Sequence, residues 1–195
     1  MKAIDAIDTN LLSEADALSL KVMRWDCEVK LEGLNNALVT MASPIYNLPN
    51  FELMPLFQIQ SLHLYVAQLA AGGSVQPFKT AEDYDNWLKR LDDYVVWLKS
   101  AKSQMQAGIK AKNVLPKSLI KKILPQLASV ASAELVNNLF YSPINQFPEN
   151  FTNVERSRLT SEYTKLITNK IVPVYKELHD FMANEYMKAG RESSG

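Results

Sequence analysis

The chain has 195 residues, of which 47% are hydrophobic and 22% are charged. These values are ordinary for a globular protein, and the length suits one domain or one part of a larger domain. Lysine plus arginine equals aspartate plus glutamate, at 21 each, so the formal net charge is zero. This balance argues against broad electrostatic attraction to nucleic acid or to anionic lipid.

The sequence shows neither a membrane span nor a secretory signal. No apolar run approaches the ~20 residues that cross a bilayer. The N-terminus, MKAIDAIDTNLL, lacks the apolar segment of a signal peptide. The compartment therefore stays open between the cytoplasm and export by a signal outside this sequence. Cys27 is the only cysteine, so no internal disulfide forms, and its place in a helical pattern predicts a buried or half-buried side chain.

A first helix is predicted over residues 13–41. Ser13 is followed by Glu14 and Asp16, which is a typical helix start. Gly33 weakens the run by about 1 kcal/mol relative to alanine. Apolar residues recur at helical spacing through the segment: Leu18, Val22, Trp25, Val29, Leu34 and Leu38.

The next segment is interrupted by Pro44, Pro49 and Pro55, which exclude a regular helix or a central strand. The run from Leu56 to Val66 alternates in part and is compatible with an extended segment, a short strand or a helical turn. Gly72-Gly73-Ser74 predicts a turn. It is no phosphate loop, because the Gly-Lys-Ser/Thr ending is missing.

The clearest helix runs from Thr80 to about Asn113. Thr80 is placed as its N-cap, with acidic residues in the first turn. Asn113 is predicted as the left-handed residue that ends the helix, and Pro116 as the opening of the next one. The apolar face, interpreted as core rather than as a stacking platform for bases or sugars, comprises Tyr84, Trp87, Leu88, Leu91, Tyr94, Val95, Trp97, Leu98, Ala101 and Met105.

Two further helical regions complete the pattern. A helix from Pro116 to about Leu127 should kink or end at Pro125, and Ser132 is expected to cap a short helix that reaches Phe140. After the loop SPINQFPEN, Thr152 and Glu155 form a capping-box sequence. The long apolar face that follows is interrupted by Pro173, which predicts a kinked helix or two abutting helices. Gly190 is a candidate C-cap, and the terminal RESSG is expected to fray.

These elements predict an all-α fold: an irregular helical array with long kinked helices and proline-rich crossovers, compatible with one short extended segment. A single helical domain over residues 1–195 is expected.

No catalytic, cofactor-binding or metal-ligating residue can be assigned in this chain. His63 and His179 are the only histidines, and neither has a histidine partner one helical turn away, as a helical zinc site requires. No Gly-x-Ser-x-Gly elbow occurs. The adjacent carboxylates 82–83 and 92–93 point about 100° apart on a helix, so they share no proton.

A lysine cluster lies across the end of the clearest helix and the start of the next, while the N-terminus is acidic. Solubilising surface lysines are the preferred interpretation, and a docking patch for an acidic partner is the alternative. The residues are Lys110, Lys112, Lys117, Lys121 and Lys122 on the basic side and Asp5, Asp8, Glu14 and Asp16 on the acidic side.

Four phrases in order resemble one bacterial family, domain of unknown function 885. They are QPFKTAEDYDNWLKRL (Gln76–Leu91), MQAGIKAKNVLPK (Met105–Lys117), SPINQFP (Ser142–Pro148) and VPVYKELHDFMANEYMKAGRESSG (Val172–Gly195). Three positions depart from the family pattern: Asn113 stands near a frequent glycine, Val174 replaces the alanine after Pro173, and Gly190 precedes Arg191 where alanine is common.

The resemblance implies a larger protein, exported or lipid-anchored in many members, that is similar to His-Glu-x-x-His zinc metallopeptidases. Its metal ligands are expected in a C-terminal half that is not in this sequence, so zinc belongs to the full-length relative and no ligand position transfers here. We therefore expect the helical N-terminal portion of such a protein, catalytically inert alone. Its partner would be the missing half or a peptide, with self-association possible. The alternative is a self-standing helical module that binds a protein.

Overall fold

The computed structural model describes residues 2–35, 39–42, 47–49, 52–59, 61–72 and 75–193. It divides into two compact units, Met1–Glu52 and Leu53–Gly195. The fold is all-α, as predicted, with one short hairpin in the first unit. One domain over residues 1–195 stays a prediction.

The first unit is built around one long helix. Ser13 caps this helix as predicted, since its Oγ accepts a hydrogen bond from the Asp16 backbone N–H at 3.2 Å. On the buried side of the helix lies Leu20, at 8% exposure, and Ile4 is also buried. The elements are α1 (Lys2–Asp5), a 3₁₀ turn (Thr9–Leu11), α2 (Glu14–Leu34) and the antiparallel strands β1 (Val39–Ala42) and β2 (Asn47–Pro49).

The predicted extension of this helix to residue 41 is wrong. Helix α2 ends at Leu34, and the next described residues after Asn35 form β1. Asn35 is a weak helix former that takes the C-cap position, and the β-branched pair at 39–40 favours a strand. Pro49 lies at the end of a two-stranded hairpin, where a missing donor is tolerated. Leu38 and Pro44 lie outside the described residues.

The second unit is a helical array around one core. Helix α4 packs against α7 and α8, and α5 packs against α8. Its helices are α3 (Leu62–Ala70), α4 (Ala81–Ala111), α5 (Lys117–Ala131), α6 (Ser142–Asn145), α7 (Asn153–Leu166), α8 (Val172–Phe181) and α9 (Met187–Ala189). The largest fully buried side chains are Trp87, Tyr84, Tyr163, Tyr175, Tyr186 and Phe140.

The ambiguous run at 56–66 is resolved as helix in its second half. Helix α3 begins at Leu62, so the extended interpretation of that part is wrong. His63, Val66 and Ala70 are buried and recur at steps of three and four, which is a helical period rather than an alternating one. Polar His63 hides this period in the sequence.

Helix α4 begins as predicted and ends one residue early. Thr80 forms a capping box with Asp83, whose carboxylate accepts the Thr80 backbone N–H at 2.9 Å. The left-handed residue is Lys112, with φ of 59°, and not Asn113. The Asn113 N–H instead bonds the Gly108 carbonyl at 2.9 Å, which closes the helix end.

Two predictions about the following segment are corrected. Helix α5 starts after Pro116 and does not end at Pro125 but continues to Ala131, because Pro125 lies on the exposed face, where water can serve the freed carbonyl. A kink at Pro125, the other predicted outcome, stays a prediction. Ser132 ends α5 instead of starting a helix. The residues to Phe140 form 3₁₀ turns at 135–137 and 139–141, and the predicted loop at 142 opens with α6.

The last helical region is continuous from residue 153 to 189. Thr152 and Glu155 form the predicted capping box. Pro173 is accommodated without a break because the π-helical turn Ile167–Ile171 directly precedes it, and a second such turn spans Met182–Tyr186. Gly190 caps the end. The prediction of fraying is wrong for Arg191, whose carbonyl accepts the Lys117 N–H at 2.9 Å.

Candidate binding cleft

His63 is a buried polar group with a contact at each ring nitrogen. Its Nδ1 lies 2.7 Å from Ser61 Oγ, and its Nε2 lies 3.2 Å from Gln126 Oε1. Ser61 and His63 are each 2% exposed, so protein atoms enclose almost the whole of this serine–histidine pair. Burial is the main cause that lowers the His63 pKa to about 4, which keeps the imidazole neutral.

The other candidate residues remain apart. His179 Nδ1 lies 3.3 Å from the carboxylate of its neighbour Asp180. Cys27 is half-buried, as predicted. Over the described ranges, no group of three or more His, Cys, Asp or Glu side chains could hold a metal ion.

The charged clusters lie on the surface. Four of the predicted lysines are exposed, and half-buried Lys117 pairs with Glu192. In the first unit, Asp5 pairs with Arg24 at 2.5 Å. Asp92 pairs with Lys170 across to the last helical region, while Asp83 serves the N-cap. Lys117, Asp5 and Asp92 are thus paired within the chain, and the other four lysines of the cluster are exposed to solvent.

The aromatic stripe of α4 is mainly core, as predicted. Trp87 is fully buried and Tyr94 is 4% exposed. Trp97 is the exception, because it is only half-buried and lines an open cleft.

This cleft lies between α3 and α4. Val75 and Gln76, from the segment that precedes α4, complete its lining. Its volume is about 480 Å³, which is in the range of small-molecule and peptide side-chain sites. Its walls are almost entirely apolar. The described lining residues are Leu62, Tyr65, Val66, Leu69, Val75, Gln76, Arg90, Asp93, Tyr94 and Trp97.

Tyr94 and Trp97 form the aromatic wall of the cleft, and residues of the core hold Tyr94 in place. Tyr94 stacks on Trp97 with ring centroids 5.8 Å apart and an interplanar angle of 12°. The Tyr94 hydroxyl lies 2.8 Å from the Tyr175 hydroxyl of α8, and burial raises the pKa of both phenols. Phe140 packs against both tyrosine rings. These contacts fix the position of the Tyr94 ring, and both phenols stay uncharged.

Arg90 and Asp93 provide the charge at the cleft. They are three residues apart on α4, which places their Cβ atoms about 5–6 Å apart. The Arg90 guanidinium lies 5.7 Å from the Trp87 ring centroid and donates to Gln76 Oε1. Within the part of the chain that the structure describes, neither Arg90 nor Asp93 forms an ion pair.

The first unit carries a separate apolar surface. Leu18, Val22, Trp25 and Val29 follow each other at steps of four, three and four along α2, and all are exposed, Trp25 at 65%. We call these four residues the α2 seam. Their helical spacing is as predicted, but they lie outside the core of their own unit.

Comparison with family models identifies the family of this chain. The family model described as a bacterial protein of unknown function (DUF885) matches residues 1–195. The chain belongs to this family. No curated protein and no solved structure matches it.

In this DUF885 chain, no helix among the described residues is long and apolar enough to cross a bilayer. The cleft is the feature that inspection of the sequence missed. Leu62, Tyr65 and Leu69 recur at steps of three and four on α3, and that second apolar face was the available signal. The partners of α3 are distant in sequence, so the cleft itself follows only from the fold.

Proposed function

We propose that this chain is the helical N-terminal scaffold portion of a zinc-metallopeptidase-like protein, inert alone, whose cleft forms one wall of a peptide-binding site. The cleft carries the proposal: it is open, apolar and preorganised, and its described lining contains no histidine, cysteine or serine. Such a surface suits binding and positioning of an apolar side chain rather than bond cleavage.

The family membership and the resemblance stated above support the peptidase part of the proposal. No cluster among the described residues fits zinc, so the metal ligands would come from elsewhere in the full-length relative. No chemical step is therefore assigned to these residues.

Equilibrium dialysis against zinc, followed by metal analysis and a peptide-cleavage assay, tests the inert-scaffold proposal. We expect no stoichiometric tight zinc binding and no zinc-dependent cleavage by the isolated chain. Either tight one-to-one zinc binding or zinc-dependent peptidase activity would contradict it. The gene sequence after residue 195 gives a second check, since the proposal expects a His-Glu-x-x-His helix there.

The second candidate function is a helical interaction module, and the exposed α2 seam favours it. The seam has the alternating steps of three and four of a coiled-coil stripe. Lys21 and Glu28 lie directly before Val22 and Val29 and flank the stripe. In an antiparallel pair of α2 helices, Lys21 of one copy would face Glu28 of the other, so the occupant that we propose is a second copy.

Sedimentation velocity over a wide range of protein concentration tests this pairing. We expect concentration-dependent dimers that Trp25→Glu abolishes. Met23→Glu is the matched control, because Met23 is also exposed on α2 but lies off the seam. A strictly monomeric wild-type protein, or equal effects of the two substitutions, would exclude the second copy as occupant.

A further inference from the structure

We propose that the cleft selects a zwitterionic ligand with an apolar body, namely a free apolar amino acid or a short apolar peptide with both ends free. This inference rests on the proposed function, because it assumes that the cleft holds a peptide or one of its residues. It adds the chemistry of the end groups. The two residues that would bind these end groups are Arg90 and Asp93, which line the cleft together with Tyr65 and Trp97.

The first step concerns the balance of charge. Among the described lining residues, Arg90 is the sole cation and Asp93 the sole anion. A cleft with one charge of each sign favours a ligand that also carries one of each, because a ligand with a single charge leaves one of the two groups without a partner. The remaining lining is apolar apart from Gln76 and the tyrosine hydroxyls.

The second step concerns geometry. Arg90 and Asp93 are neighbours on one helical face, at about 5–6 Å between Cβ atoms. The ammonium and carboxylate of a dipeptide are separated by a comparable span, and those of a free amino acid by a shorter one that the long Arg90 side chain can match. Both groups can therefore meet their partners while the ligand side chain enters the apolar part of the cleft. Tyr94 and Trp97, stacked and fixed by the Tyr175 hydroxyl, form the wall that this side chain would contact.

The third step concerns the capacity of the two groups. The Arg90 guanidinium has five N–H donors. Its contacts to Gln76 and to the Trp87 ring orient the group and leave donors for a carboxylate. Asp93 is exposed and, within the described chain, has no ionic partner, so it can accept an ammonium group.

Isothermal titration calorimetry with four leucyl-leucine probes tests the inference. The probes are Leu-Leu with both ends free, its N-acetyl form, its C-terminal amide and the form blocked at both ends. We expect Leu-Leu to bind most tightly, with each blocked end weakening binding by roughly fivefold, as for a partly exposed ion pair. L-leucine in a parallel titration distinguishes a single amino acid from a short peptide as the preferred source.

Two variants show which residue binds which charged end of the ligand. Arg90→Gln should remove the preference for a free carboxylate, and Asp93→Asn the preference for a free ammonium. Lys89→Gln and Asp92→Asn are the matched controls, since they remove the same charges from α4 at positions that do not line this cleft. The controls should keep the full order of affinities.

The outcomes separate this inference from the proposed function. Equal binding of all four probes, abolished by Tyr65→Ala, would overturn the zwitterion preference and leave the cleft as a peptide site. Tyr65 is 52% exposed, so this variant should fold. Binding of no probe would overturn both. A preference order that Arg90→Gln and Asp93→Asn leave unchanged would also overturn the inference.

Discussion

The Tyr94 and Tyr175 hydroxyl groups lie 2.8 Å apart inside the protein, where α4 meets α8. Both rings are almost fully buried, at 4% and 1% exposure. One face of Tyr94 lines the cleft, so this hydrogen bond connects the cleft wall to the last helical region. The position of the wall therefore depends on a helix that lies 81 residues further along the chain.

Removal of one of these two hydroxyl groups should lower the unfolding free energy more than the subsequent removal of the other. Tyr94→Phe or Tyr175→Phe alone leaves a buried hydroxyl without its partner, and we expect about 1–2 kcal/mol of lost unfolding free energy. The double variant should be destabilised by little more than either single one. Urea unfolding of the four proteins gives the coupling energy, and strictly additive effects would show that the two groups do not interact.

The stability of the protein should fall in mild acid because of His63. The unfolded chain binds a proton at this residue below its ordinary pKa of 6.5, whereas the folded state resists until about pH 4. The contribution of neutral His63 to the stability of the fold is thus complete above pH 6.5 and declines as the pH falls toward 4. The difference between the two pKa values of His63 corresponds to roughly 3 kcal/mol of unfolding free energy.

Urea unfolding between neutral pH and pH 4.5 measures this contribution. His63→Gln should lose the part of the pH dependence that lies between these limits, although it also destabilises the protein at neutral pH by disturbing the bonds to Ser61 and Gln126. Identical slopes in the wild-type protein and in His63→Gln would show that His63 is not buried neutral.

Gly108 should not tolerate a side chain. A Cβ at this position would meet the carbonyl oxygens of Asn113 at 2.7 Å and of Leu53 at 2.8 Å, and both are backbone atoms. We expect Gly108→Ala to cost about 2 kcal/mol even though alanine is the better helix former. Gly72→Ala is the comparison: its space is open and only its φ of 80° is unfavourable, so its loss should be about 1 kcal/mol. A stabilised Gly108→Ala would contradict the close approach.

Local signals in the sequence predicted much of the fold, because capping and helical period act over a few residues. Thr80, Thr152 and Ser13 begin their helices as expected. Features that depend on tertiary packing were harder to predict. Helix α5 passes through Pro125, because packing places this residue on the exposed face of the helix. The cleft was not predictable for the same reason, since α3 and α4 meet only after folding.

The cleft as the ligand-binding surface of this chain is the central claim. Two-dimensional ¹H–¹⁵N NMR with N-acetyl-Leu-Leu amide tests it most directly, because this probe has no charge and reports apolar recognition alone. We predict concentration-dependent shifts that concentrate on the Trp97 indole and on the amides of α3 and α4, and that Tyr65→Ala abolishes. Shifts that cluster around another surface, or that persist unchanged in Tyr65→Ala, would contradict the claim.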